Sequence, residues 1–167
     1  MIRPATPTDA PWICDIWNGI IAQTHITFTT QRKNIADIET MIADRVVLTL
    51  PDKGGFATFG PFRGGPGYAA TVEHTILLAE HARGQGQGAI LFAALEDEAR
   101  RSGVHVMVAG ISGANPAAVA FHAAQGFEQV GHMPEVGRKD GQWLDLVLMQ
   151  KRLEAGGTPN ARQNDAI

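Results

Sequence analysis

A run of alternating glycines, Arg83-Gly84-Gln85-Gly86-Gln87-Gly88, separates a long apolar stretch from a helical pattern in this sequence. Tyr68 to Ala79 reads as a strand, while Ile90, Leu91, Ala94, Leu95 and Ala99 recur at helical spacing. A glycine turn in that setting lets the backbone approach a ligand closely. The unpaired amides that open the helix then face an anion, assisted by the helix dipole. Arg83 can add a charge-assisted contact. Phosphate suits such a turn, although glycine-rich turns also serve simply to start helices.

Context narrows the choice. A P-loop ends in Gly-Lys-Ser/Thr, but Gly88 is followed by Ala89 and Ile90, with neither the lysine for terminal phosphates nor the hydroxyl for magnesium. A Rossmann site needs an acid at the end of the next strand to hold the ribose. Here that strand is His105-Val106-Met107-Val108-Ala109-Gly110, which carries none. Both familiar nucleotide folds fail.

The flanking segments predict a single mixed domain. Met1 to Ala5 reads as a short edge strand; Ile13, Ile16, Trp17, Ile20 and Ile21 mark a first helix, and Ile35, Ile38, Met41 and Ile42 a second. Val46–Leu50 and Phe56–Phe62 pair around the turn Pro51 to Gly55. His105–Ile111 is a strand, and Asn115-Pro116 opens a helix closed near Gln125 by Gly126. Phe127–Glu135 and Trp143–Met149 read as an antiparallel pair around a long loop. The order is α/β (α+β), with much of the sheet antiparallel. The domain is expected over 1–153, and residues 154–167 as a disordered tail.

Composition bounds the partners. Net charge −3 over 167 residues gives no general reason to bind nucleic acid or an anionic membrane, so an anionic ligand needs a local site. Cys14 is the single cysteine, which rules out an intrachain disulfide and a cysteine metal cage. The six histidines lack a metal-ligand pattern. Met1-Ile2-Arg3-Pro4-Ala5 lacks the basic-then-apolar start of a signal segment, and no apolar run approaches the roughly 20 residues of a membrane span. The expected location is the cytoplasm.

Arg83-x-x-Gly86-x-Gly88 between strand and helix resembles the acyl-CoA pyrophosphate signature of the GNAT acetyltransferase superfamily. Asn115-x-x-Ala118 leading into a helix that ends Gly126-Phe127 is a second likeness. Further pieces are similar to the phosphinothricin and methionine sulfoximine acetyltransferase branch: Thr27-Phe28, Gly60-Pro61-Phe62-Arg63, Thr71-Val72-Glu73-His74, Val108-Ala109-Gly110-Ile111, and Val136-Gly137-Arg138-Lys139 before Trp143-Leu144-Asp145. The resemblance implies a central mixed sheet splayed apart in the middle, with acetyl-CoA entering the gap. It implies that main-chain groups of Ile76, Leu77 and Leu78 pair with the pantetheine arm. Amides from Gly84, Gln85, Gly86, Gln87, Gly88 and Ala89 then hold the pyrophosphate beside Arg83, and Asn115 contacts the cofactor. Relatives of this kind are usually homodimers. Two departures bear on the substrate: relatives often carry Tyr-Arg where this chain has Tyr68-Ala69, and an aromatic where Asp140 stands.

Acetyl transfer to an amine needs a base, a polarised thioester and a proton for the departing thiolate. Glu73 is the candidate base, since a carboxylate in an apolar strand has a raised pKa when buried. Its alternative is an ion pair with Arg63 or another cation. His122 is the candidate acid, or else a histidine packed between helix and sheet. His74, on the opposite face from Glu73, is a third candidate for the proton transfer, or else shapes the substrate pocket. The Leu78 amide can polarise the thioester oxygen. For the substrate, Arg63 can pair with a carboxylate or remain a solvated loop residue, and Phe28 can form an apolar wall. The expected reaction is acetylation of a small amino-acid-like amine; the alternatives are protein N-termini, polyamines, or a non-catalytic acyl-CoA-binding module.

Overall fold

The computed structural model describes residues 1–153, so the tail expected at 154–167 lies outside the described residues. Thr71–Leu78 forms strand β4, whose side chains alternate between two helical layers. On one side Val72, His74 and Ile76 pack toward helices α3 (Gln87–Arg101) and α4 (Pro116–Ala124), against Phe92, Phe127 and their neighbours. On the other, Leu77 packs with Phe56, Ile13 and Ile20, the latter two on helix α1 (Ala10–Gln23), and with Ile38 of α2 (Ile35–Asp44). Each helix therefore turns one apolar stripe to the sheet, and helices cover both of its faces.

The remaining strands are β1 (Arg3–Pro4), β2 (Val47–Thr49), β3 (Gly55–Pro61), β5 (Val106–Ser112), β6 (Glu128–Lys139) and β7 (Gln142–Arg152). They lie in the order β1-β2-β3-β4-β5-β7-β6, antiparallel everywhere except between β4 and β5. That parallel pairing lasts for three rungs, Thr71↔Val106, Val72↔Met107 and Glu73↔Val108. Beyond it, β4 stays on β3 as far as Leu78, while β5 stays on β7 as far as Ser112. The sheet splits at its centre. Among the described residues no helix is long and apolar enough to cross a membrane.

Two strand assignments differ from the sequence reading. Pro66–Tyr68 is a short 3-10 turn, so β4 begins at Thr71 rather than Tyr68. The long loop expected between the last two strands is strand instead: β6 and β7 continue to a tight turn at Asp140-Gly141, both residues having positive φ. Register shifts between Gln129 and Gly131 and between Met133 and Gly137 interrupt β6. Such bulges break the alternation by which a strand is recognised.

The segment joining α1 to α2 is anchored by this hairpin. The Lys139 ammonium is buried and donates to the carbonyls of Ile21 at 2.7 Å, Thr24 at 2.7 Å and Thr27 at 3.1 Å. All three of its protons find oxygens at or beyond the end of α1, which also suits the helix dipole. Beside it the Phe28 ring rests on Gly137, where a Cβ would collide with Cδ2. Gly137→Ala is accordingly expected to displace Phe28 and cost about 1–3 kcal/mol of stability, read by urea denaturation. Adding Phe28→Ala to that variant should destabilise less than the two single costs summed.

Candidate active site

Divergence of β4 from β5 leaves polar backbone unpaired. The bonds Ala79 N→Gly54 O and Phe62 N→Thr71 O fix the phase of the β3–β4 ladder. Odd-numbered β4 residues therefore bond to β3, and Ile76 and Leu78 turn their amides and carbonyls toward the gap. Leu77 differs from the sequence expectation: its main chain is committed to β3, and it offers the gap only its side chain.

The gap opens into two joined cavities, of about 180 and 330 Å³. Ile26, Ile76, Leu77, Asn115, Ala118 and His122 line both. Their combined size falls within the usual range for a small-molecule site. At the far end of the larger one stand Arg83 and Gly88. The glycine turn opens α3 where its sequence predicts a helix start. Gly86 caps α3 with φ +73, a left-handed conformation that favours glycine. Among the described residues no backbone oxygen accepts from the amides of Gly84, Gln85, Gly86, Gln87 or Gly88. The Ala89 amide departs from the expectation, since it closes the first turn onto Gly86 O at 3.1 Å. Arg83 donates from Nε and Nη2 to the Leu78 carbonyl at 3.2 and 3.1 Å, tying the turn to the end of β4. Gln85 donates to the His81 carbonyl, so its side chain braces the turn.

Asn115 caps α4, its Oδ1 accepting from Ala118 N at 3.2 Å. At the other end of α4, Gly126 N bonds Ala123 O and Phe127 N bonds His122 O, a Schellman closure. This closure sets the Phe127 ring edge-on to His122 at 5.2 Å and so helps orient the imidazole. His122 Nδ1 lies 2.7 Å from the Ala118 carbonyl, which can only accept, so Nδ1 carries a proton. Its Nε2 lies 3.1 Å from Nε2 of His74. Burial lowers both pKa values, that of His74 to about 3 through desolvation first and the neighbouring His122 second. Both rings are thus neutral near pH 7, and His74 Nε2–H donates to His122 Nε2. The remaining nitrogen, His74 Nδ1, is buried without a partner, as is Thr27 Oγ1. Both residues line the smaller cavity.

Glu73 lies on the opposite face from this pair. Its carboxylate leans across to β5 and rests on Gly110, where a Cβ would meet Oε1 at 2.8 Å. Gly110 itself lines the smaller cavity, so the carboxylate stands at its rim. Partial loss of surrounding water at the carboxylate raises the Glu73 pKa above the ordinary range, although the residue as a whole is exposed. Among the described residues no cation lies within ion-pair distance of it, and Arg63 in particular stays over the Phe62 ring, 5.4 Å from its centroid. Glu73, His74, His122, Asn115 and the glycine turn are thus gathered around one gap. Phe28 and Arg63 are not: Phe28 packs on the hairpin, and Arg63 lines a separate cleft beside β3 and β4. Ile26 and Thr27 form the wall expected of Phe28. Spacing gives no signal for them, because they lie in an irregular segment that Lys139 positions.

This arrangement, a split sheet with free amides at one end and acid–base groups on both faces of the gap, is that of an acyl-CoA-dependent transferase. Residues 47–127 match the acetyltransferase (GNAT) family. The chain is similar to the L-methionine sulfoximine/L-methionine sulfone acetyltransferase of Pseudomonas aeruginosa, at 36% identity over 92% of this chain and 94% of that protein. It is also similar to the L-amino acid N-acyltransferase MnaT of Escherichia coli, at 38% identity over 96% and 98%. Among solved structures it superposes on a phosphinothricin acetyltransferase of Sinorhizobium meliloti in complex with acetyl-CoA, with a TM-score of 0.87 and 29% identity over 98% and 94% of the two chains. The chain belongs to the GNAT acetyltransferase family and is an acetyl-CoA-dependent N-acetyltransferase.

The buried histidines carry a stability consequence. Between the unfolded value of 6.5 and the folded value of about 3, the unfolded chain binds a proton at position 74 that the folded chain refuses. Stability is therefore present above pH 6.5 and is lost as pH falls below it. His74→Gln should flatten the fall of Tm between pH 6.5 and 5; an unchanged slope in calorimetry would remove His74 as its source.

Proposed function

We propose that this protein acetylates the α-amine of a small amino acid of the kind named for its relatives, such as methionine sulfoximine or phosphinothricin. The observation that carries this reading is the Glu73 carboxylate, raised in pKa and seated on Gly110 at the mouth of a cavity that runs to the free amides of residues 84–88. Those amides, with the gap-facing main chain of Ile76 and Leu78, suit a diphosphate followed by an extended amide-bearing arm. Acetyl-CoA supplies the activated acetyl group and a thiolate leaving group.

An alkyl ammonium must lose a proton before it can attack. Glu73 takes that proton, directly or through one water, and its raised pKa brings it closer to the basicity the task needs. The Leu78 amide is turned to the gap and donates to the oxygen on which charge develops. His122 protonates the departing thiolate. In the resting state its Nε2 accepts the His74 proton, so it first takes up the proton that the nitrogen sheds once the amine has attacked the thioester carbon, and a buried imidazolium passes that proton on readily. Thiolate, with an ordinary pKa of ~8.5, is a willing acceptor.

The reading extends to assembly and place. Val130, Met133, Val136 and Trp143 leave large apolar side chains exposed along the β6–β7 hairpin, which supports a homodimer through that surface. A single free cysteine suits the reducing cytoplasm. Sedimentation equilibrium should give twice the chain mass, and a monomer at micromolar concentration would remove the dimer. The catalytic proposal is tested by Glu73→Gln. Steady-state thiol release should show kcat lower by about 10²–10⁴-fold at neutral pH with acetyl-CoA affinity nearly unchanged. Retained kcat would take Glu73 out of the mechanism.

A further inference from the structure

A row of three positions crosses the sheet on the α1–α2 face. Val47 pairs with Thr58 and Gly60 pairs with Glu73. Arg45, in extended conformation at the end of α2, continues the β2 register to stand opposite Gly60. The row thus reads guanidinium, bare backbone, carboxylate. Adjacent strands are ~4.8 Å apart, so the outer two Cα atoms are separated by about 10 Å with no side chain between them. The Arg45 guanidinium lies down into that hollow: a Cβ on Gly60 would be 2.6 Å from its Nη1 and 2.9 Å from Cζ.

Arg45 has no carboxylate within ion-pair distance among the described residues, and neither has Arg63. Both line one cleft with Asp44, Gly60 and Tyr68, and that cleft adjoins the Glu73 side of the gap through Gly60, the strand partner of Glu73. Arg63 is held in place by the Phe62 ring, which meets Tyr68 edge-on at 6.2 Å. Two guanidiniums without an ion pair, against the one carboxylate of Asp44 in the same cleft, leave an excess of positive charge next to the proposed base. A single α-carboxylate satisfies one of them. A ligand with two anionic groups satisfies both, and guanidinium is suited to carboxylate and to phosphorus oxyacids alike.

Resting on the amino-acid reading above, we propose that Arg45 and Arg63 together bind two anions of one substrate, its α-carboxylate and an acidic side-chain terminus. The substrates of this chain are then amino acids whose side chains end in a phosphinate or carboxylate, in preference to neutral sulfones. Arg45 is the residue that makes the distinction. Its place over Gly60 puts it within a small molecule's length of the amine held at Glu73.

Phosphinothricin and methionine sulfone test this directly, because they have nearly the same shape and differ in one negative charge. The wild-type enzyme should show kcat/KM at least about tenfold higher for phosphinothricin, with the difference in KM, as one charge-assisted contact provides. Raising the ionic strength should shrink that ratio. Arg45→Ala should remove about tenfold or more of the preference, Arg45→Gln should do the same with a neutral polar group kept, and Arg45→Lys should retain part of it. Wild-type preference for the sulfone would overturn the proposal. So would equal losses on both amino acids in variants whose Tm matches wild type. Failure to acetylate either amino acid, with other amines accepted, would instead overturn the amino-acid reading on which this one rests.

Discussion

Three rungs of parallel pairing between β4 and β5 are the constraint from which the site follows. Had the ladder continued, the amides and carbonyls of Ile76 and Leu78 would be spent inside the sheet, and no cavity would exist between the strands. The separation is enforced from both sides. β3 holds β4 through Leu78, and β7 holds β5 through Ser112, so each strand has a full partner on its outer edge and neither is free to close the gap. Unpaired backbone at the centre of a sheet is costly unless a ligand or water meets it. The fold therefore contains a place where binding an extended amide chain relieves a deficit already present.

The same split explains why titratable groups from opposite faces of the sheet border a single space. Neighbouring residues on a strand point to opposite faces, so Glu73 and His74 cannot share a wall of an intact sheet. Where the sheet opens, both reach the same space. Glu73 crosses to β5 because Gly110 has no side chain there, and His74 meets His122 because Gly126 and Phe127 close α4 beneath it. The two environments also push the groups in useful directions. Desolvation raises a carboxyl and lowers an imidazole, so a stronger base and a stronger acid come from the same physical cause.

Much of this was legible in the chain, and the misses have a common origin. The glycine turn, the helix start at Asn115 and the ending at Gly126 are local devices, written within a few residues and read correctly for that reason. Strand β6 was cut short because bulges erased its alternation. Leu77 was grouped with Ile76 and Leu78, although only the phase of the β3 ladder decides which residues face the gap. Phe28 was assigned to a pocket wall that Ile26 and Thr27 occupy, because its ring is held by Gly137, more than a hundred positions away.

Sequence alone determined the order of helices and strands, the anion-seeking turn after residue 83, and the residue types able to move protons, because these depend on short-range spacing and intrinsic chemistry. Tertiary structure decided which of them meet. The coupling of His122 to His74, the seat of Glu73 on Gly110, the burial of the Lys139 ammonium under three carbonyls and the cleft shared by Arg45 and Arg63 all join distant segments. Their pKa values and contacts arise from desolvation and packing, quantities that exist only once the chain has closed around them.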